Sequence, residues 1–168
     1  SRPKLVVLSA MSGTTNILVE IANALYAKEH DSAKTLLDTL GKKYLAVVDE
    51  LFSTEAGKQK GQELIQSHFN YMNAFLIDLF TPNEEKAILA QGELLSTALF
   101  HFFLEEKNIP SVFLNALDFM RIDENDEPDL AYIEKNLNAE IAKHPGSILF
   151  ITQGYISRDA FGEIDNLK

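Results

Sequence analysis

Four hydroxyls and a glycine crowd into one short stretch near the amino terminus, Ser9-Ala10-Met11-Ser12-Gly13-Thr14-Thr15-Asn16. The stretch follows an apolar, β-branched run and precedes Ile17, Leu18, Ile21, Ala24 and Leu25, which recur at helical spacing. A turn at the carboxyl end of a parallel strand presents the free N–H groups and partial positive charge of a helix start. Hydroxyls there can cradle a carboxylate or a phosphate, and Gly13 lets backbone come close. The same side chains would equally serve as caps of the helix, and the pattern leaves both readings open. Neither a Gly-x4-Gly-Lys-Ser/Thr loop nor Gly-x-Gly-x-x-Gly occurs.

A second segment is Gly92-Glu93-Leu94-Leu95-Ser96-Thr97. Glu93 lies two residues from Leu95, about 200° around a helix, so it is expected to face away from the apolar stripe and be solvated. Gly92 inside a helical pattern costs roughly 1 kcal/mol relative to Ala, which implies that something approaches closely there. His30, His68, His101 and His144 are scattered and form no His-Glu-x-x-His pattern, so no metal site is expected. The acidic run Asp123 to Asp129 lacks the glycine and terminal glutamate of a calcium loop.

Several elements must hold these segments. Lys4 to Ser9 is expected as a central parallel strand covered on both faces. Two helical stripes follow, Leu37, Leu40, Tyr44, Val48, Leu51 and Ile65, Phe69, Met72, Leu76, Leu79, with Ser53 to Gly61 as the turn between them. Thr81-Pro82-Asn83-Glu84 announces one further long helix, through Ile88, Leu95, Leu99 and Phe102, that must stop before Pro110. Ser111 to Leu114 and Ser147 to Thr152 read as buried strands, with a solvated acidic loop and a helix from Leu130 to Ile141 between them and a polar tail after Gly154. The fold class is therefore α/β: a mainly parallel sheet, rich in helix, with a large helical insertion from about residue 30 to 80 lying over one side.

The 168 residues hold 15 Lys and Arg against 25 Asp and Glu, a net charge of −10, with 46% hydrophobic residues and no cysteine. That suffices for one core, or part of one. The acidic balance argues against nucleic acid and anionic membranes as partners, and no apolar run approaches the roughly 18 residues of a spanning helix. Without cysteine there is no disulfide framework, thiol nucleophile or Cys-ligated metal, and cytosol is the default compartment.

Taken together, three segments resemble the aspartate kinases of the amino-acid kinase family. Val6-Val7-Leu8-Ser9-Ala10-Met11-Ser12-Gly13-Thr14-Thr15-Asn16 is similar to their VVSAMSGxTN motif, Gly92 to Thr97 to their GELLS helix, and Thr152-Gln153-Gly154-Tyr155-Ile156 to their TxGFI strand end. The resemblance implies a three-layer lobe and ATP-dependent, Mg²⁺-assisted phosphorylation of the β-carboxylate of L-aspartate. That reaction supplies lysine, threonine and methionine synthesis in the cytoplasm, in a homo-oligomeric full-length enzyme. It also implies that Ser9 and Thr15 help to hold aspartate and that Glu93 pairs with its ammonium.

The family's KFGGTS motif is expected before residue 1 and its GRGGSD motif after residue 168. On that expectation residues 1–168 are a partial, amino-terminal aspartate-binding lobe, inactive alone and without bound ATP or Mg²⁺. Phosphoryl transfer needs cations, and none of the named site residues supplies one. Asn115-Ala116-Leu117 stands where many relatives have Asp-Ala-Arg. Two alternatives remain, a binding or regulatory module of the same fold and a related kinase for another substrate.

Overall fold

The computed structural model describes residues 2–77 and 79–167; the expected domain, 1–168, also takes in Ser1, Asp78 and Lys168, which lie outside the described residues. Strand β1 (Lys4–Leu8) leads through the hydroxyl-rich turn into α1 (Thr14–Tyr26). Two long helices follow, α2 (His30–Leu51) and α3 (Glu55–Ala74), then α4 (Pro82–Leu89) and α5 (Gln91–Glu106). The chain returns through β2 (Val112–Phe113), a 3-10 turn (Ala116–Asp118) and α6 (Leu130–Ala142) to β3 (Leu149–Gln153), and β4 (Ile156–Arg158) and β5 (Ile164–Asn166) complete it.

The α/β class holds: β1, β3 and β2 form a parallel sheet in that order, with Val6 opposite Ile151 and Val112 opposite Phe150. The central strand is β3, however, not β1. Leu149–Gln153 lies between two partners and is almost wholly buried, whereas β1 is an edge strand with Leu5 39% and Val7 57% exposed. An apolar run alone does not distinguish a covered strand from an edge. The expected polar tail is instead an antiparallel hairpin, β4 with β5, turned through Asp159 to Gly162.

The expected turn at Ser53 to Gly61 shrinks to a few residues, because Thr54 caps α3 by accepting the Gly57 N–H and Glu106 receives the N–H groups of Ser53 and Thr54. Those bonds hold the Glu106 carboxyl at about 2, well below the ordinary range. Helix α3 also stops at Ala74, earlier than its stripe implied, and Leu79 is exposed. Thr81 and Glu84 do form a capping box, but the long helix breaks at Ala90 into α4 and α5. By length and mean hydropathy the stretch Pro82–Glu106 would suit a membrane after all; 67% of its most apolar window is buried inside the protein, as in a core helix. The acidic loop is partly ordered, with Asp123 gathering the N–H groups of Asn125 and Glu127.

The core has two parts. The larger is mostly helical: Leu37, Leu40, Tyr44 and Val48 of α2 and Ile65, Phe69 and Met72 of α3 meet Leu18 and Ile21 of α1 and Leu95 and Leu99 of α5. The hairpin α2–α3 thus packs on α1 and α5, which stand between it and much of the sheet. The smaller core gathers Leu114, Phe119, Phe150 and Ile156 on the β2–β3 side. Leu37 is fully buried where α2 enters the larger cluster. Leu37→Ala should cost about 2–5 kcal/mol in urea unfolding; a loss below about 1 kcal/mol would mean that the hairpin is not part of the cooperative core.

Candidate functional site

The hydroxyl-rich turn is built by the backbone. Thr14 N–H closes it on the Met11 carbonyl at 3.0 Å, and Gly13 takes the helix-capping position with φ +77°, the left-handed region that favours glycine. Among the described residues no side chain caps α1, which removes the capping reading of these hydroxyls. Thr14 is fully buried and its Oγ1 lies 3.2 Å from the Tyr44 hydroxyl. Ser9 is exposed at one end of the turn, and Thr15 is half-buried in the first turn of α1.

Helix α5 grips this turn from the sheet side. Ser96 Oγ donates to the Ser9 carbonyl at 2.7 Å, and the Ala10 N–H donates to Glu93 Oε1 at 3.2 Å. Glu93 is 4% exposed, so the solvated position expected from helical spacing is overturned. A separation of 200° around a helix leads to solvent only where the helix has an open side, and α5 is covered on nearly all sides. Its close approach depends on Gly92, as the sequence implied: a Cβ there would stand 2.8 Å from the Ala10 Cβ and 3.4 Å from atoms of Leu18 and Thr14.

Glu93 Oε2 is buried and has no hydrogen-bond partner among the described residues. Burial pushes the carboxyl pKa up, opposed by the Ala10 N–H and by Glu93's own N–H in the first turn of α5. Because α5 restarts at Gln91, the carboxylate sits at a helix start, where negative charge is favoured. Gln91 is held in turn: its Nε2 donates to the Ala87 carbonyl, leaving Oε1 to accept from His68 Nδ1 at 2.6 Å.

The third segment joins the same place. Gly154 N–H donates to the Leu8 carbonyl at 2.9 Å. Gln153 Oε1 accepts the Ala116 N–H, its Nε2 donates to Thr97 Oγ1 at 2.9 Å, and Thr97 donates to the Glu93 carbonyl at 2.7 Å. Tyr155 adopts φ +63° and lies near enough to Glu93 for that charge, after burial, to raise its hydroxyl pKa. All three segments singled out by sequence therefore converge on the carboxyl end of β1. Asn115 caps the 3-10 turn through the Leu117 N–H, while Leu117 is buried in the smaller core. Leu117 is thus a packing residue.

Sequence reasoning missed what α2 contributes. Lys43 Nζ donates to the Ser12 carbonyl at 2.9 Å, which brings a cation to the turn. Tyr44 was legible as core, but nothing in its spacing marked its hydroxyl. The assembly asks for a particular ligand chemistry. A buried, unpartnered carboxylate oxygen calls for a cationic donor, and a helix start beside a lysine calls for an anion. A zwitterion with both charges on a short frame, such as an α-amino acid, meets both.

No family model matches the chain. It is 26% identical over 167 residues to lysine-sensitive aspartokinase 3 of Escherichia coli (strain K12), covering 98% of this chain and 36% of that protein. It is 24% identical over 168 residues to the chloroplastic bifunctional aspartokinase/homoserine dehydrogenase 1 of Zea mays, covering 94% of this chain and 18% of the relative. Among solved structures, E. coli aspartokinase III in complex with aspartate and ADP superposes with a TM-score of 0.80 over 98% of this chain and 36% of that one, at 26% identity. The aspartate kinase of Clostridium acetobutylicum, at 11% identity, shares the fold with a TM-score of 0.70 over 97% of this chain and 34% of that one. The chain spans about a third of the length of the E. coli relative.

Gly92→Ala tests the close approach on which the site depends. Alanine would favour the helix by roughly 1 kcal/mol, yet the contact with Ala10 should reverse the sign and destabilise by about 1–3 kcal/mol. A thermally stabilised variant would show that the turn and α5 are not in contact.

Proposed function

We infer, from homology to the aspartokinases over 98% of the chain and from their shared fold, that these residues bind L-aspartate as the substrate of an aspartate kinase. The observation that carries the reading is the buried Oε2 of Glu93, unpartnered beside the turn Ser9 to Asn16. Glu93 pairs with the substrate's ammonium, while Ser9, Thr15 and the start of α1 hold a carboxylate. The E. coli homologue bound to aspartate and ADP supports the substrate class and a nucleotide co-substrate. The full-length enzyme transfers the ATP γ-phosphate to the β-carboxylate, with Mg²⁺, in the cytoplasm and as a homo-oligomer. The phosphate-binding motifs are assigned outside residues 1–168, so the chain alone is a partial catalytic lobe without turnover, and no transfer step is routed through its residues.

Glu93→Gln separates binding from stability. Gln keeps an acceptor for the Ala10 N–H but removes a buried charge that only the ligand neutralises. In calorimetric titration aspartate affinity should fall at least tenfold, about 1.4 kcal/mol. Without ligand the same variant should be more stable by up to about 1 kcal/mol. The sign follows from the raised pKa: the folded state disfavours ionised Glu93, so the gain is present at pH above that pKa and vanishes as pH falls and Glu93 takes up a proton. Wild-type affinity should weaken over the same acidic range. Unchanged affinity in the variant would overturn the ammonium-pairing role, and aspartate-dependent ADP release by residues 1–168 alone would overturn the assignment of the phosphate-binding groups.

A further inference from the structure

Two consecutive residues of the helical hairpin reach the turn. Lys43 Nζ donates to the Ser12 carbonyl at 2.9 Å, and the Tyr44 hydroxyl lies 3.2 Å from Thr14 Oγ1. Neighbouring positions on a helix point about 100° apart, and the two side chains accordingly meet different residues of the turn, Ser12 and Thr14. Lys43 is exposed and holds the outer side; Tyr44 and Thr14 are fully buried and form the underside. Ser12 and Thr14 flank Gly13, so the two bonds bracket the left-handed residue that sets the direction of the first amides of α1.

Neither contact is explained by packing alone. The Tyr44 ring already belongs to the larger core and sits 6.2 Å from that of Phe69, while its hydroxyl is spent on Thr14. Burial raises that hydroxyl to about 12, so it stays protonated throughout the working range, and either hydroxyl of the Tyr44–Thr14 pair can donate to the other. Among the described residues no carboxylate pairs with Lys43, in a chain of net charge −10. Its charge is therefore left to the turn, where a Cβ on Gly13 would stand 3.8 Å from Nζ.

We propose that Lys43 and Tyr44 are positioning residues for the anion-binding turn, so that the hairpin α2–α3 sets how tightly the site holds a carboxylate. Tyr44 fixes the floor through Thr14; Lys43 fixes Ser12 and adds positive charge beside the helix start. This rests on the aspartate reading above for the identity of the carboxylate, but the grip on the turn is a property of the unliganded chain.

The experiment uses residues 1–168 as wild type, Tyr44→Phe, Lys43→Met and Lys43→Arg. Without ligand, amide hydrogen exchange at Gly13 to Asn16 should quicken about tenfold in Tyr44→Phe and Lys43→Met while the middle of α1 and α5 is unchanged. Unchanged exchange in the turn overturns the grip. With L-aspartate followed by amide shifts, both variants should raise Kd roughly five- to tenfold, and Lys43→Arg should restore it to within about twofold. Variants that lose thermal stability but keep the wild-type Kd would make the contacts structural only and overturn the proposal. If wild type binds no aspartate, the functional reading fails by itself, and the ligand-free exchange still decides whether α2 orders the turn.

Discussion

A carboxylate placed out of water, with one oxygen satisfied and the other not, is the constraint around which this part of the molecule is arranged. Burial of Glu93 is tolerable because the Ala10 N–H, its own backbone N–H and the restart of α5 at Gln91 all oppose the loss of hydration. Each of these needs something further. The restart needs the break at Ala90, the contact with Ala10 needs a glycine at 92, and the turn carrying Ala10 needs a left-handed residue at 13. The incomplete satisfaction is a local loss of stability that the two cores offset, a pattern common at ligand sites.

The surrounding polar network is directional. A hydroxyl has one proton to give, and Thr97 gives its own to the Glu93 carbonyl because Gln153 Nε2 donates to Thr97. Gln153 at the tip of the central strand also fixes Ala116. Strand β3, the loop after β2 and helix α5 are therefore tied by one buried amide, and a side chain unable both to donate and to accept would break the sequence of bonds. The ion pair of Lys86 with Asp165, at 2.5 Å and largely shielded from solvent, ties the β4–β5 hairpin to α4 in the same neighbourhood. Tyr155 is the link from the strand tip into that hairpin.

Much of this was legible in the residues. Helical spacing located α1, α2, α3 and α6, and short apolar runs located β1, β2 and β3, because periodicity reports burial directly. What periodicity cannot report is which neighbour does the burying. Lys4 to Leu8 and Leu149 to Gln153 look alike as strings, yet one is an edge and the other the centre, since order in a sheet is fixed by contacts distant in sequence. Spacing misplaces Glu93 for the same reason, since the side of α5 opposite its apolar stripe is not solvated there. Gly92 was informative because its cost in a helix demanded a cause. Lys43 and Tyr44 gave no signal, being ordinary members of a charged face and an apolar stripe. Of the hairpin after Gly154, the isoleucines at 156 and 164 on either side of Gly162 were the only trace.

Strand β1 hydrogen-bonds to β3 along one side and bears no strand on its other side among the described residues. Its last residue, Leu8, receives the Gly154 N–H, and Ser9 begins the hydroxyl-rich turn immediately beyond. A backbone laid against the open side of β1 would continue the sheet and at the same time stiffen the root of that turn. Pairing at that open edge and the order of the hydroxyl-rich turn would then be mechanically coupled, along five residues of a single strand.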